Sequence, residues 1–202
     1  MQERSIKPAP QFLSVLAFLL VSALCGTTVH AQDGSLPTRG TRFWTGFMQN
    51  GFGAQSLKLH IMSTVATQGT ISIPGNGWST SFTVGANSVS VINVPLFAES
   101  AGSGVVAAKG ILVTSQDSID LYSSSFQNYT HDLSQLLPET SLGSSYRVDA
   151  YQGLPNFNNL HRSEFLVVAT ADGTQVRITP AALTADGRPA NVPFTVPALT
   201  MV

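Results

Sequence analysis

Apolar and polar residues alternate along most of this chain from Arg42 onward. The clearest case is the segment in which Leu57, Leu59 and Ile61 alternate with Lys58 and His60. Successive side chains of an extended chain point to opposite faces, so this pattern indicates β-strands that bury one face. The predicted strands are Phe43–Met48, Leu57–Met62, Thr70–Ile73, Ser81–Val84, Ser88–Val94, Ile111–Thr114, Ile119–Ser125, Tyr146–Tyr151, Glu164–Ala169 and Gln175–Thr179.

Segments rich in Gly, Asn, Asp and Ser separate these strands. Pro74–Trp78 is predicted to form a hairpin turn, Ser115–Ser118 a polar turn between two strands, and Asp172–Gly173 a tight hairpin. In Asp132–Pro138 the apolar spacing suits a helical turn, which Pro138 would end. Short strands with regular turns and almost no helix predict an all-β fold. We expect an antiparallel β-sandwich, Ig-like or jelly-roll-like, with a barrel or a propeller as the alternatives.

One hairpin pattern occurs twice in the chain. Gly69–Pro74 followed by Phe82–Val84 returns as Thr174–Pro180 followed by Phe194–Val196. The recurrence predicts a β-sandwich module over residues 42–160 and the start of a second, incomplete β repeat over residues 161–202. Residues 32–41 combine Gly, Ser, Pro and Thr without apolar periodicity and are predicted to be a linker.

The first 31 residues have the three parts of an export signal. Arg4 and Lys7 form a basic start, Phe12–Leu24 is apolar, and small residues precede Ala31. We therefore predict a signal peptide over residues 1–31, cleavage after Ala31, and a secreted, extracellular or cell-surface protein with no membrane span after cleavage. A retained anchor is one alternative. Lipid attachment at Cys25, the single cysteine of the chain, is another.

The charge balance argues against nucleic acid as a partner. Lys and Arg number 10 against 11 Asp and Glu, so the chain has no excess of basic residues for phosphate contacts. Charged residues make up only 10% of the chain, against about a quarter in typical domains. Ser, Thr, Asn, Gln and Gly therefore fill the exposed positions, as suits an extracellular module.

The sequence predicts no catalytic residues, no cofactor and no firm metal site. The histidines after residue 31 are His60, His131 and His161, which lack metal-ligand spacing. Asp117, Asp120 and Asp132 are weak calcium candidates, although no EF-hand-like run of ligands is present. The alternative is that they are aspartates that form turns.

Aromatic residues at turns and strand ends are the better candidates for binding. Trp78, Tyr129 and Tyr151 are predicted to be exposed rings that could stack on a sugar or anchor a protein partner. Trp44 lies beside Phe43 and is predicted to belong to the core.

Three sequence segments resemble a known family. They are Phe43–Asn50, Leu137–Pro138 followed by Leu142–Val148, and Ser163–Thr174. Together they resemble the N-terminal domain family named after the IgG Fc-binding protein, found in mucin-associated animal proteins and in secreted bacterial proteins, and we identify the chain as a secreted bacterial member. The resemblance implies an extracellular, cysteine-poor β-module for adhesion or matrix binding. It carries no catalytic motif and does not imply that this chain binds immunoglobulin.

The sequence thus predicts a secreted or cell-surface, non-enzymatic binding or adhesion module whose partner is an extracellular protein or a glycan. One alternative is a structural spacer domain of a larger surface protein. A secreted hydrolase is a minor alternative, because Gly102–Gly104 does not match the serine-hydrolase elbow.

Overall fold

The computed structural model of the protein describes residues 36–51, 53–149 and 163–198. Strands dominate these residues, and the helical pieces among them are short 3-10 turns at Pro74–Asn76, Leu96–Ala98 and Glu139–Ser141. In this part of the chain, no helix has the length and apolar character needed to cross a membrane. The strands are β1 Gly40–Thr45, β2 Phe47–Met48, β3 Ser56–Ser63, β4 Thr67–Ile73, β5 Trp78–Val84, β6 Ser88–Val94, β7 Glu99–Ser100, β8 Ile111–Gln127, β9 Thr130–Leu136, β10 Thr174–Ile178 and β11 Phe194–Ala198.

The long strand β8 organises the main antiparallel sheet. Its first half pairs with β1 and β4, and β4 pairs in turn with β5. Its second half pairs with β3 and β9, and β3 pairs in turn with β6. Strands that pass from one layer to the next make the corners of packed sheets. The sheet therefore curls around β8, and its two halves share one core.

The core is formed by the inward-facing residues of both halves. Phe43, Leu59, Ile71, Val113 and Leu121 all have no exposed surface. They come from β1, β3, β4 and both halves of β8. Because each of these strands alternates buried with exposed or half-buried positions, the predicted all-β antiparallel fold is confirmed.

Most of the predicted strands in the first part of the chain are confirmed. The predicted segments Leu57–Met62, Thr70–Ile73, Ser81–Val84 and Ser88–Val94 lie within β3, β4, β5 and β6. The predicted strand Phe43–Met48 is interrupted at Gly46 and contributes to β1 and β2. The two-residue period was informative here because each strand buries one face only.

The predicted turn at Ser115–Ser118 is wrong, because β8 continues through it as one strand of 17 residues. The polar run forms a bulge instead: Gly40 pairs with Ile119, whereas Arg42 pairs with Thr114. The backbone N–H of Asp117 donates to Thr67 Oγ1 at 3.1 Å. An extra stretch in one strand bends it and increases its twist, and here it lies at the point where β8 changes partners.

The predicted helical turn at Asp132–Pro138 is also wrong. Thr130–Leu136 forms β9, which pairs with β8 from Gln127 back to Leu121. Leu136 packs against the core, while Leu133 points outward and is 64% exposed. The leucine spacing suggested a helix. The segment is a strand because its backbone groups form hydrogen bonds with β8.

Three further predictions differ from the structure. Tyr146–Asp149, the described part of the strand predicted at Tyr146–Tyr151, is not in a strand, and neither is the segment Glu164–Ala169. Gly173 does turn the chain with φ +72°, but β10, which follows it, pairs with β11 and not with Glu164–Ala169. Strand assignment requires a partner as well as an apolar pattern, and the pattern alone did not reveal the partner.

Both copies of the repeated pattern form antiparallel pairs. β4 pairs with β5 and β10 pairs with β11, with Ile71 opposite Thr80 and Val176 opposite Val196. Ile71 is fully buried, whereas Val176 is only half-buried. The division into a module over residues 42–160 and an incomplete repeat over 161–202 remains a prediction.

Candidate binding surfaces

The outer face of the second half of the sheet carries apolar side chains. The register aligns Val91, His60 and Tyr122 across β6, β3 and β8, and places Val89 opposite Met62 in the next row. Val89 and Val91 are 53% and 50% exposed. The set that we call the apolar face comprises Val89, Val91, Met62, Tyr122 and Leu133.

Polar residues lie within the apolar face and at its ends. His60 Nε2 lies 2.8 Å from the buried Ser124 Oγ, which holds the imidazole between the valines and Tyr122. Lys58 and Asp120 lie at the two ends of this face, next to Ser124 and opposite Met62 respectively. Val89, Val91 and Met62 are neighbours on β6 and β3, and an exposed apolar patch with a polar rim is typical of a surface that binds another protein.

The β8–β9 hairpin extends this surface with aromatic rings. Gln127 pairs with Thr130, so Asn128 and Tyr129 form the turn, and Tyr129 is 89% exposed. The rings of Phe126 and His131 meet edge to face, with centroids 5.5 Å apart. We call Phe126, Tyr129 and His131 the aromatic tip. Aromatic side chains bring large contact area at low conformational cost and are enriched at binding hot spots.

A buried amide anchors the base of the aromatic tip. Asn50, only 3% exposed, donates from Nδ2 to Ser125 Oγ at 2.9 Å and accepts from the Thr130 hydroxyl in a short hydrogen bond. Thr130 directly follows Tyr129 in the chain. The turn that presents Tyr129 is therefore held by a satisfied polar network and is preorganised.

Glu99 holds the segment that carries Asn50. Its Oε1 atom accepts the backbone N–H groups of Asn50 at 2.7 Å and Ala54 at 2.9 Å. The Lys109 ammonium group donates to the Glu99 carbonyl oxygen at 2.6 Å. Sequence reasoning missed Asn50 and Glu99 as supporting residues. Asn50 is the last residue of one of the segments that resemble the family. That resemblance was the sequence signal that could have pointed to Asn50.

The predicted aromatic candidates fall in different environments. Tyr129 is exposed at the aromatic tip, as described above. Trp78 begins β5 and is half-buried against the core, so only part of its ring is accessible. Trp44, predicted to be core, is half-buried on β1 with the Arg42 guanidinium 5.7 Å from its ring centroid. Tyr151 and His161 lie outside the described residues.

The three aspartates suggested for calcium are not brought together. Asp120 forms an ion pair with Arg39, with 3.1 Å between Oδ2 and Nε. Asp132 on β9 pairs with Ser125, and Ser125 lies five residues beyond Asp120 on β8. Five residues of strand span about 17 Å. Among the residues that the structure describes, no group of three or more His, Cys, Asp or Glu side chains is arranged to hold a metal ion.

An ion pair stabilises the loop between β10 and β11. The Thr184 hydroxyl and the Arg188 guanidinium both donate to the Asp186 carboxylate, and they hold the pKa of this exposed group below its ordinary value. Arg188 also stacks on Phe194, with 4.0 Å between the guanidinium carbon and the ring centroid. The lowered pKa thus reflects a local loop contact and gives no indication of acid–base chemistry.

The fold and these surfaces define the class of the protein as an all-β domain with an exposed aromatic and apolar face. Comparison with family models agrees with the resemblance seen in the sequence: residues 130–198 match the family described as IgGFc binding protein. The match begins at the first residue of β9 and ends at the last residue of β11. No curated protein and no solved structure matches the chain.

The matched region contains two of the three segments that carried the resemblance, Leu142–Val148 and Ser163–Thr174. Phe43–Asn50 lies outside it. Leu133 and His131 fall within the match, and Tyr129 immediately precedes it. The description of the family names a binding protein. Part of the candidate surface, namely His131 and Leu133, lies in the region that the family model covers.

Proposed function

We propose that this protein is a secreted or cell-surface, non-enzymatic binding or adhesion module that engages an extracellular protein through the apolar face and the aromatic tip. The observation that carries the proposal is the exposure of Tyr129 and Leu133 on the β8–β9 hairpin and of Val89 and Val91 on β6, at the two sides of the same half of the sheet. Burying such a surface in a complex releases ordered water and is favourable in proportion to its apolar area.

The arrangement of the contact groups supports binding more than a spacer role. A spacer needs only a soluble surface, and exposed valines on an edge strand such as β6 are a solubility liability. Here Val89 and Val91 lie on β6, which pairs with β3 alone in the described sheet. A bound protein partner would cover them.

Binding by residues 32–202 should be measured against immobilised extracellular proteins, with an IgG Fc fragment included because of the family's description. We expect Tyr129→Ser together with Leu133→Ser to weaken the interaction at least tenfold, as loss of a hot spot does. The matched control is Leu183→Ser, which changes a similarly exposed leucine in the β10–β11 loop.

The control variant should bind as the unaltered protein does. If no extracellular protein in the panel binds, or if the Tyr129/Leu133 variant binds with unchanged affinity, the proposal is wrong and a spacer role is favoured. Thermal unfolding of each variant shows whether the loss of binding is a loss of folding.

A further inference from the structure

The outer face of the first half of the sheet has a different chemistry from the apolar face. It contains an open trough of about 490 Å³ that crosses β5, β4 and β8. Its side chains come from the outward positions of these strands: Ser81 and Thr83, Gln68 and Thr70, and Thr114 and Gln116. The volume lies within the range of about 300–1,000 Å³ that small-molecule sites occupy.

These side chains form rows across the strands. Ser81 pairs with Thr70, which pairs with Thr114, and Thr83 pairs with Gln68. Neighbouring strands lie about 4.8 Å apart, so the polar groups are spaced regularly along each row. The strands' backbone hydrogen bonds hold this spacing before any ligand arrives, which lowers the ordering cost of binding.

Each of these groups can both donate and accept hydrogen bonds. A hydroxyl offers one donor and two lone pairs, and an amide offers two donors and a carbonyl oxygen. The Thr70 and Thr114 hydroxyls lie 2.8 Å apart and bond to each other, which fixes their orientation and leaves further capacity on both. Such a surface matches a ligand that is itself rich in hydroxyl groups.

The floor of the trough depends on Gly69. A Cβ atom at this position would lie 2.0 Å from the Thr114 carbonyl oxygen and 2.6 Å from the Phe82 ring. Glycine thus lets β4 lie close to both neighbours. The Phe82 side chain itself is buried on the core side of the sheet, so the surface that a ligand meets in the trough is the polar one.

The charges around the trough disfavour an anionic ligand. The described residues that line it are uncharged. Arg42 lies opposite Thr114 on β1, but Glu139 Oε2 lies 2.5 Å from its Nε atom and neutralises it. Asp117, exposed and one residue beyond Gln116, adds a negative charge nearby.

We propose that this trough is a second binding site, specific for neutral oligosaccharides, that acts independently of the protein-binding surface. The trough lies on β5, β4 and the first half of β8, whereas the apolar face lies on β6, β3, β9 and the second half of β8. Sugar hydroxyls meet the polar rows.

The test is binding of residues 32–202 to maltohexaose, cellohexaose and mannohexaose, with hexagalacturonic acid as the anionic comparison. We expect one or more of the neutral hexamers to bind, and to bind at least fivefold more tightly than the acidic one. In NMR titrations, the backbone amides of Gln68 and Ser81 should shift.

Ser81→Ala combined with Thr83→Val should weaken binding of the neutral hexamer at least fivefold. Ser79→Ala is the matched control, since Ser79 lies on the same strand and the same face without lining the trough. The site is disproved if all three neutral hexamers fail to bind, if the acidic hexamer binds best, or if the trough variant binds as tightly as the control. Because Tyr129 and Leu133 are unchanged in these variants, failure of this site leaves the protein-binding result unaffected.

Discussion

At the residue scale, small or polar residues let the strands in both halves of the sheet pack closely against β8. Gly69 pairs with both Phe82 and Ser115, and the space that a methyl group would need is occupied on both sides. On the other half, the buried Ser124 and Ser125 accept or share hydrogen bonds with His60 and Asn50. In neither half does apolar packing alone account for the fit.

Gly69→Ala should therefore destabilise the domain. The added Cβ meets backbone on one side and a buried ring on the other, so the strands must move apart, which typically costs about 1–3 kcal/mol. Urea unfolding measures the loss. Gly143→Ala is the control, because Gly143 has no atom closer than 4.0 Å to its added Cβ, and it should change the free energy of unfolding by less than about 0.5 kcal/mol. Equal stability of the two variants would contradict the proposed packing.

At the element scale, the connection from β2 to β3 is held by one carboxylate. Glu99 on β7 accepts two N–H groups from it, and β7 itself pairs in parallel with β2. A parallel pair of two residues each is too short to be stable by itself, so the side-chain bonds reinforce it. The same connection carries Asn50, which supports the aromatic tip.

Glu99→Ala should loosen this connection without unfolding the sheet. Two hydrogen bonds to a partly buried carboxylate are lost, and we expect the free energy of unfolding to fall by about 1–3 kcal/mol. Hydrogen exchange should become faster at the amides of Asn50 and Ala54 and stay unchanged at those of β4. Glu164→Ala, at an exposed position, is the control. Unchanged exchange at Asn50 would show that Glu99 does not hold the segment.

At the scale of the whole molecule, the described domain is held together by burial and by the sheet's hydrogen bonds. Its largest fully buried side chains include Phe43, Leu57, Ile61 and Ile111. The single cysteine, Cys25, lies in the predicted signal peptide. If cleavage follows Ala31, no disulfide can contribute to the stability of the mature protein, although exported domains often depend on disulfides.

The mature protein should begin at Gln32 and be insensitive to reductant. Intact-mass analysis of the exported protein should give the mass of residues 32–202, and its melting temperature should be the same with and without a thiol reductant. Ala31→Phe removes the small residue before the cleavage site and should block processing. A mass that retains residues 1–31, or a lipid on Cys25, would instead support the anchor or lipid alternative.

The predictability of the elements differed along the chain for a physical reason. β3, β4, β5 and β6 were predicted closely because each one buries a single face, and this leaves a two-residue period in the sequence itself. For the candidate surface, Tyr129 was proposed from its position in a turn, and the structure exposes it, while its role in binding stays a prediction. The supporting Asn50 and Glu99 were missed, since their partners lie 75 and 49 residues away in the chain.

The sequence by itself determined the all-β class, the inward face of the strands with a clear two-residue period and the family resemblance, because these depend on local alternation and on short motifs. The tertiary structure decided that Ser115–Ser118 is a bulge and that Asp132–Leu136 belongs to a strand. It also decided which outward residues meet as the apolar face and which as the trough. Pairing between distant strands sets these outcomes, since each backbone group takes the partner that the assembled sheet offers.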